Sequence, residues 1–212
     1  MEFKFFDPFT ATRVTRNRLP HWEQKGALYF ITFHLADSIP VQVRVRIERS
    51  RENWLARHPE PWSAEKEQEY CELFLGDVER ALDEGRGACP LRLPACSEIV
   101  AAALRHFDGD RVDTMAFVVM PNHVHAAVIP RGDWNMEKLV HSWKRWSAVR
   151  VNRLTGKAGE LWQPDYFDTI VRDREHLGRV LRYIRNNPAK AALRPGESVL
   201  YESEFARRWL QA

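Results

Sequence analysis

The sequence lacks the features of a secreted or membrane protein. No uninterrupted apolar stretch approaches the roughly 18 residues that a membrane-spanning helix needs. No basic region followed by an apolar stretch, the mark of a secretory signal, stands at the N-terminus. Cys71, Cys89 and Cys96 are odd in number and form no Cys-x-x-Cys pair, which indicates free thiols rather than a disulfide framework or a zinc knuckle. We therefore expect a cytoplasmic protein that does not use a membrane.

A strong net charge is also missing. The chain has 32 Lys and Arg against 29 Asp and Glu, a net charge of +3, which is too mild to indicate a nucleic-acid partner by itself. The charges are unevenly distributed, because acidic residues crowd between Glu48 and Glu84, whereas residues 138–157 contain six Lys or Arg. The second half of the chain is expected to carry a basic face.

The remaining composition is that of a soluble globular domain. Of the 212 residues, 44% are hydrophobic and 29% charged, and no repeat or low-complexity tract interrupts them. We expect one domain over residues 1–212, with a helical insertion at 40–95. Whether that insertion covers the core or binds a partner is left open by the sequence.

Two histidines stand at the centre of the apolar part of the sequence. Apolar runs at 115–120 and 124–129 flank a Pro-Asn break, a pattern typical of two buried strands joined by a tight turn. Because residues two apart on a strand point to the same face, His123 and His125 present both imidazoles together. This spacing suits a metal, although a His-x-His pattern alone more often marks an exposed sheet face.

The order of the predicted elements indicates an α+β fold. They are a strand at 27–35, helices within 40–95, a helix at 97–107, strands at 115–120 and 124–129, a helix from 136 to about 154, a strand late in 162–172 and a helix at 174–188. Without the insertion and the last helix this is β-α-β-β-α-β, the order of a ferredoxin-like sandwich. Residues 3–20 are interpreted as an aromatic and basic leader with little periodicity.

The last predicted helix carries a second pair of polar residues. Tyr183 and Asn187 are four residues apart and therefore neighbours on one helical face, and Pro188 predicts that the helix ends near Asn187. Taken alone, they are a boundary aromatic and a helix-ending residue. Together with the histidine pair they suggest a two-part site.

Several motifs resemble those of the single-tyrosine HUH transposases. They are Val-Val-Met-Pro-Asn-His-Val-His at 118–125, Trp-Lys-Arg-Trp-Ser-Ala at 143–148, Leu-Trp-Gln-Pro-Asp-Tyr-Phe-Asp at 161–168 and Tyr-Ile-Arg-Asn-Asn-Pro-Ala-Lys-Ala-Ala-Leu at 183–193. Leu-Pro-His-Trp at 19–22 and the segment 29–40 are similar to the branch called REP-associated tyrosine transposases. The resemblance extends from about 19 to 193, is thin over the insertion, and departs from the family at Ala189 and Ala192.

The resemblance implies a role for each polar residue of the two pairs. His123 and His125 are the paired metal ligands, Tyr183 is the nucleophile, and Asn187 is the third, amide-bearing ligand. The family implies Mg²⁺ or Mn²⁺, whereas two imidazoles and an amide would suit manganese, cobalt, nickel or zinc better than magnesium. It also implies a ferredoxin-like fold and hairpin DNA with REP-like palindromes.

The expected function is that of a metal-dependent single-stranded DNA endonuclease and strand transferase with a 5'-phosphotyrosine intermediate. The alternatives are a non-catalytic nucleic-acid binder on a ferredoxin-like sheet and a phosphodiesterase that activates water. We expect a nucleoid-associated monomer or homodimer, with Tyr183 serving either its own histidine pair or that of a second subunit. The residues expected to hold DNA phosphates are Lys138, Lys144, Arg145, Arg150, Arg153, Arg182, Arg185 and Lys190.

Overall fold

The structure is a computed structural model that describes residues 2–10, 12–16, 20–59, 62 and 64–211. Of residues 14–16, 20, 64, 65, 67, 68, 71, 72 and 75 it describes the backbone only. Leu19 and the Cys71 side chain, both used in the sequence analysis, lie outside this description. Cys89 and Cys96 are buried free thiols, as predicted.

The described residues form seven strands and six α-helices. In chain order these are β1 (Arg13–Arg16), β2 (Pro20–Glu23), β3 (Tyr29–His34), α1 (Val41–Arg57), α2 (Ala64–Asp83), α3 (Pro94–Arg105), β4 (Val112–Val119), β5 (His123–Pro130), α4 (Met136–Thr155), β6 (Phe167–Ile170), α5 (Arg174–Lys190), β7 (Val199–Glu202) and α6 (Glu204–Trp209). None of these helices is long and apolar enough to cross a membrane.

Five of the strands form one antiparallel sheet in the order β6-β3-β5-β4-β7. Its first four members, taken with α3 and α4 as the connecting helices, reproduce the ferredoxin-like order, so the predicted fold class is confirmed. The β4–β5 hairpin lies in the interior of the sheet, as expected, and β7 forms an additional edge beside β4. Strands β1 and β2 form a separate hairpin.

The two faces of the sheet are covered by different helices. Phe33 and Phe117 face a core that includes Trp143 of α4, whereas Phe30 and Val118 face a second core that includes the apolar stripe of α5. This division follows from the alternation of side chains along a strand. Helices α3 and α4 therefore lie on the face opposite to α5.

Helix α5 does not end where the sequence predicted. Its side-chain cap at Asp173 accepts a hydrogen bond from the His176 backbone N–H, but the helix continues through Pro188 to Lys190. A proline inside a helix removes one backbone donor and costs on the order of 3 kcal/mol. Because Ile184 and Asn187 are buried, the packing of this last turn against the sheet outweighs that cost.

Two parts of the chain with weak periodicity form regular structure that the sequence analysis missed. The segment interpreted as a leader contains β1 and the first residue of β2, and the segment beyond Arg194 contains β7 and α6. Strands of four residues are too short to show a clear alternation. Their positions depend on pairing with distant strands rather than on local pattern.

The predicted insertion consists of α1 and α2, which pack on each other through Ile47, Val78 and Leu82. Helix α2 also contacts the sheet and α5. The Leu82 backbone oxygen accepts a hydrogen bond from Asn122 Nδ2 at 3.2 Å. Asp83 pairs with Lys190 of α5 at 2.5 Å. The insertion therefore packs on the same side of the sheet as α5.

Buried His21 links the β1–β2 hairpin to the sheet edge through hydrogen bonds. His21 of β2 lies 2.8 Å from Asp168 and 3.0 Å from Asp165, and its ring stacks on Tyr166. Burial opposes the His21 cation, but the hydrogen bonds to both carboxylates raise its pKa from 6.5 to about 9. The stabilisation from this charged cluster is complete below pH 6.5 and is lost as the pH rises through about 9.

Replacing His21 by Gln should therefore destabilise the protein in a pH-dependent way. We expect the free energy of unfolding to fall by about 1–3 kcal/mol at pH 6.5, with the difference from wild type shrinking as the pH approaches 9.5. Urea titrations across this range measure it. His141→Gln, at an exposed position of α4, is the control and should show no such trend. A pH-independent loss in His21→Gln would contradict a charged cluster.

Candidate metal and nucleophile site

The two histidines of β5 lie side by side on the face of the sheet that α5 covers. Their ring centroids are 4.6 Å apart, and both side chains are fully buried. Val124 between them points into the opposite core. The strand alternation predicted from the sequence thus holds, and the pair faces the protein interior rather than an exposed sheet surface.

Each imidazole is oriented by a neighbouring side chain. Asn122 Nδ2 donates to backbone carbonyls, so its Oδ1 accepts from His123 Nδ1 at 2.7 Å. That bond places the His123 proton on Nδ1 and leaves the Nε2 lone pair available. His125 Nδ1 lies 2.8 Å from Thr32 Oγ1, a hydroxyl that can accept the Nδ1 proton in the same arrangement. Such orienting partners are typical of metal-binding histidines.

Both imidazoles are held neutral. Burial lowers the pKa of His123 well below 6.5, and the neighbouring His125 and His34 lower it further. Burial, followed by the nearby Lys190 charge, lowers the pKa of His125 to about 3. A neutral imidazole is the form that binds metals, so the pair is ready for a cation at neutral pH.

Helix α5 brings Tyr183 to the histidine pair of the same chain. Its Oη lies 3.4 Å from His125 Nε2, and its ring packs edge-on against His125 and Phe30. Leu177, Leu181 and other apolar residues of α5 are buried against the sheet and set this position. The geometry therefore joins the two parts that the sequence suggested separately.

Asn187 lies one helical turn beyond Tyr183 and is 1% exposed. Neither its Oδ1 nor its Nδ2 has a hydrogen-bond partner among the described residues, and His123 Nε2 has none either. Buried polar atoms are rarely left unsatisfied in proteins unless an ion or a water completes them. An amide oxygen and two imidazole nitrogens thus fit a divalent cation that keeps open positions for substrate. In the described part of the chain no group of three or more His, Cys, Asp or Glu could hold a metal.

A carboxylate that the sequence analysis missed faces the phenol. Burial raises the Tyr183 pKa, and the charges of Glu79 and Asp83 on α2 raise it further. Burial raises the Glu79 pKa to about 7, although its interaction with Tyr183 and the Lys190 charge act in the opposite direction. The sequence offered only an acidic, amphipathic helix as a signal, because nothing local showed where that helix docks.

The predicted DNA-contact residues are not equally available. Lys144 is buried and its Nζ donates to the carbonyls of Pro164 and Asp165, at 2.9 and 3.0 Å. Arg185 forms a bidentate pair with Glu202, at 2.7 and 3.0 Å. These two cations are engaged within the chain, which removes them from the candidate phosphate contacts. The exposed candidates are Lys138, Arg145, Arg150, Arg153, Arg182 and Lys190, the last paired with Asp83.

Helix α4 carries four of these exposed cations and lies on the face opposite to the histidine pair. Arg150 stacks on Trp146, with its guanidinium carbon 3.7 Å from the ring centroid. The other tryptophan of that motif, Trp143, is a core residue. Of the exposed candidates for DNA contact, only Arg182 and Lys190 are on α5, the helix that carries Tyr183.

A comparison with known families identifies the segment that holds the site. Residues 95–187 match the family model described as "Transposase IS200 like". This segment is similar to IS200-like transposases. It spans just under half of the chain and contains His123, His125, Tyr183 and, as its last residue, Asn187. The transposase resemblance predicted from the sequence is thereby confirmed.

Solved structures provide a second comparison for this chain. A REP-associated tyrosine transposase bound to a REP hairpin aligns with a TM-score of 0.40 and 15% identity, over 82% of this chain and 74% of that one. A transposase from Deinococcus radiodurans R1, described as putative, aligns with a TM-score of 0.34 and 15% identity, over 87% of this chain and 97% of that one. No curated protein sequence matches the chain.

Removing the Thr32 hydroxyl should weaken metal binding to the candidate site. In Thr32→Val, His125 loses the partner of its Nδ1, so we expect the affinity for Mn²⁺ to fall roughly 10- to 100-fold. Titration followed by electron paramagnetic resonance measures it. Thr114→Val is the matched control, because Thr114 is also a buried strand threonine and its hydroxyl has no partner among the described residues. Equal affinities in the two variants would contradict the orienting role of Thr32.

Proposed function

We propose that the protein is a metal-dependent endonuclease and strand transferase of single-stranded, hairpin-forming DNA, with REP-like palindromes as the substrate class. The observation that carries this proposal is the 3.4 Å distance between Tyr183 Oη and His125 Nε2 within one chain. The transposase match over the same residues supports DNA cleavage and joining as the general activity. DNA as substrate places the protein in the cytoplasm, at the nucleoid.

His123, His125 and Asn187 would hold the metal, Mg²⁺ or Mn²⁺, with the two imidazoles favouring Mn²⁺. When bound, the metal supplies a Lewis acid that polarises the phosphoryl group under attack. The three ligands are neutral and leave positions open for phosphate oxygens. Because one chain supplies these ligands and Tyr183, a complete site needs no second copy. We propose that the site works as a single HUH domain, in a monomer or in each protomer of a homodimer.

Tyr183 is the proposed nucleophile. Its phenol oxygen forms a bond to the DNA phosphorus as the bond from phosphorus to the 3'-oxygen breaks, which leaves a 5'-phosphotyrosine and a 3'-hydroxyl. Glu79 takes the phenol proton, and the departing 3'-oxygen gains a proton. The covalent bond conserves the phosphodiester energy, so a 3'-hydroxyl can reverse the step without ATP.

Two exposed cations on α5, Arg182 and Lys190, are the proposed contacts for phosphates near the site. Those on α4 lie on the opposite face of the sheet and would hold a different part of a folded hairpin. They are Lys138, Arg145, Arg150 and Arg153.

Replacing Tyr183 by Phe should abolish the covalent protein–DNA species. With single-stranded hairpin DNA and Mn²⁺, we expect adduct formation to fall at least roughly 10³-fold, because Phe has no nucleophilic oxygen. Denaturing electrophoresis of labelled DNA measures it. Tyr201→Phe is the control, since Tyr201 of β7 stacks on Phe117 of the opposite core.

Two other outcomes would replace the proposal. DNA binding without an adduct in the wild-type protein would indicate a non-catalytic binder, and nicking that survives in Tyr183→Phe would indicate a phosphodiesterase that activates water. His123→Ala should keep DNA binding and lose cleavage, because it removes a ligand while sparing the basic surfaces.

The cleavage rate should depend on the ionisation of Glu79. Lys190 and Tyr183 of α5 and Asp83 of α2 surround this carboxyl group, whose pKa is about 7. A protonated Glu79 cannot accept the phenol proton, so the rate should rise with pH up to about 7 and then level off. Single-turnover rates of Glu79→Gln should be about 10²–10⁴-fold lower and should lack this rise. Asp77→Asn, which affects only an exposed ion pair with Arg80 on the same helix, should behave as wild type.

A further inference from the structure

A cleft opens between the sheet edge and the two insertion helices. Its apolar walls come from Ile39, Ile47 of α1, Phe74 and Val78 of α2, and Phe167 of β6. Two aromatic rings among apolar side chains are suited to a flat, partly apolar ligand.

The cleft begins beside the histidine pair. His34 lines it, and in the pairing of β3 with β5 the residue opposite His34 is His123. Paired strands lie about 4.8 Å apart, so the cleft starts one strand away from the proposed metal ligands. Helix α2 borders both spaces, since Val78 lines the cleft while the adjacent Glu79 faces Tyr183. A ligand in the cleft can therefore be continuous with a group held at the site.

Besides the exposed carboxylate of Glu48, two polar side chains that line the cleft are left without partners in the described part of the chain. Gln163 is 9% exposed, and its side-chain amide makes no hydrogen bond to a described residue. The half-buried guanidinium of Arg44 forms no ion pair there, although its charge reaches His34 and helps to lower the pKa of that residue. A buried amide offers one donor and one acceptor to the edge of a base, and a guanidinium offers a fork to a phosphate.

We propose that this cleft binds one unpaired nucleobase next to the phosphate that Tyr183 attacks. Phe74 and Phe167 form the walls against which the base packs, the Gln163 amide contacts its edge, and Arg44 contacts the adjoining phosphate. This inference rests on the proposed function and adds to it a site that recognises one base of the cleaved strand. It also gives the helical insertion a role in substrate selection.

The test uses a hairpin oligonucleotide that the wild-type protein nicks, with an abasic residue placed in turn at each nucleotide flanking the nick. Binding is measured with the Tyr183→Phe protein, so that the DNA stays intact. We expect one abasic position to weaken binding about tenfold, the usual effect of losing one stacked base. In the protein that also carries Gln163→Met, the same abasic position should weaken binding only about twofold or less. The reason is that this protein has already lost the contact between the Gln163 amide and the base. Adding Gln42→Met, at an exposed position of α1 outside the cleft, should leave the tenfold loss intact.

Arg44→Gln provides a second variant, which should weaken binding of intact DNA and reduce its salt dependence. The inference is overturned if every abasic position weakens DNA binding by the same factor in the Gln42→Met and Gln163→Met proteins. That result can coexist with adduct formation by the wild-type protein, in which case the proposed function stands and only the cleft is refuted. If the wild-type protein nicks no hairpin DNA, the proposed function fails and the cleft inference with it.

Discussion

The packing of α5 against the β4–β5 strand pair is the interaction on which the candidate site depends. Leu177, Val180, Leu181 and Ile184 bury one stripe of the helix in the second core. Burial of such a side chain contributes roughly 1.5–3 kcal/mol, so this stripe outweighs the cost of a proline in the last turn. Because the stripe fixes the rotation of the helix, Tyr183 is directed at His125 and Asn187 is buried rather than solvated.

The site itself opposes folding. Two imidazoles and an amide are buried, and His123 Nε2 and both polar atoms of Asn187 lack partners among the described residues. A buried polar group without a partner costs about 1–3 kcal/mol. Burial of the surrounding apolar side chains offsets this destabilisation. A bound cation would remove part of it by satisfying the same atoms. A well-packed core that encloses polar atoms without hydrogen-bond partners is typical of a ligand-binding site.

The elements added to the ferredoxin-like core complete the site rather than merely cover it. Helix α2 places Glu79 against Tyr183, the proposed nucleophile, and Val78 in the wall of the cleft. Its end is held by the Asp83–Lys190 pair, and Asn122 joins the same helix to the histidine strand. One helix thus connects proton transfer, histidine orientation and the cleft. This arrangement explains how an insertion can influence chemistry that the core sheet carries.

The sequence by itself determined the strand face shared by His123 and His125, the order of the core elements and the apolar stripe of α5, because each follows from periodicity over a few residues. Only the tertiary structure decided the docking of Glu79, the burial of Lys144, the engagement of Arg185 by Glu202 and the position of α4 on the opposite face. Those features depend on contacts between elements distant in the chain. No local pattern encodes which helix meets which face, since apolar burial is non-directional and the partners are selected by how the whole core packs.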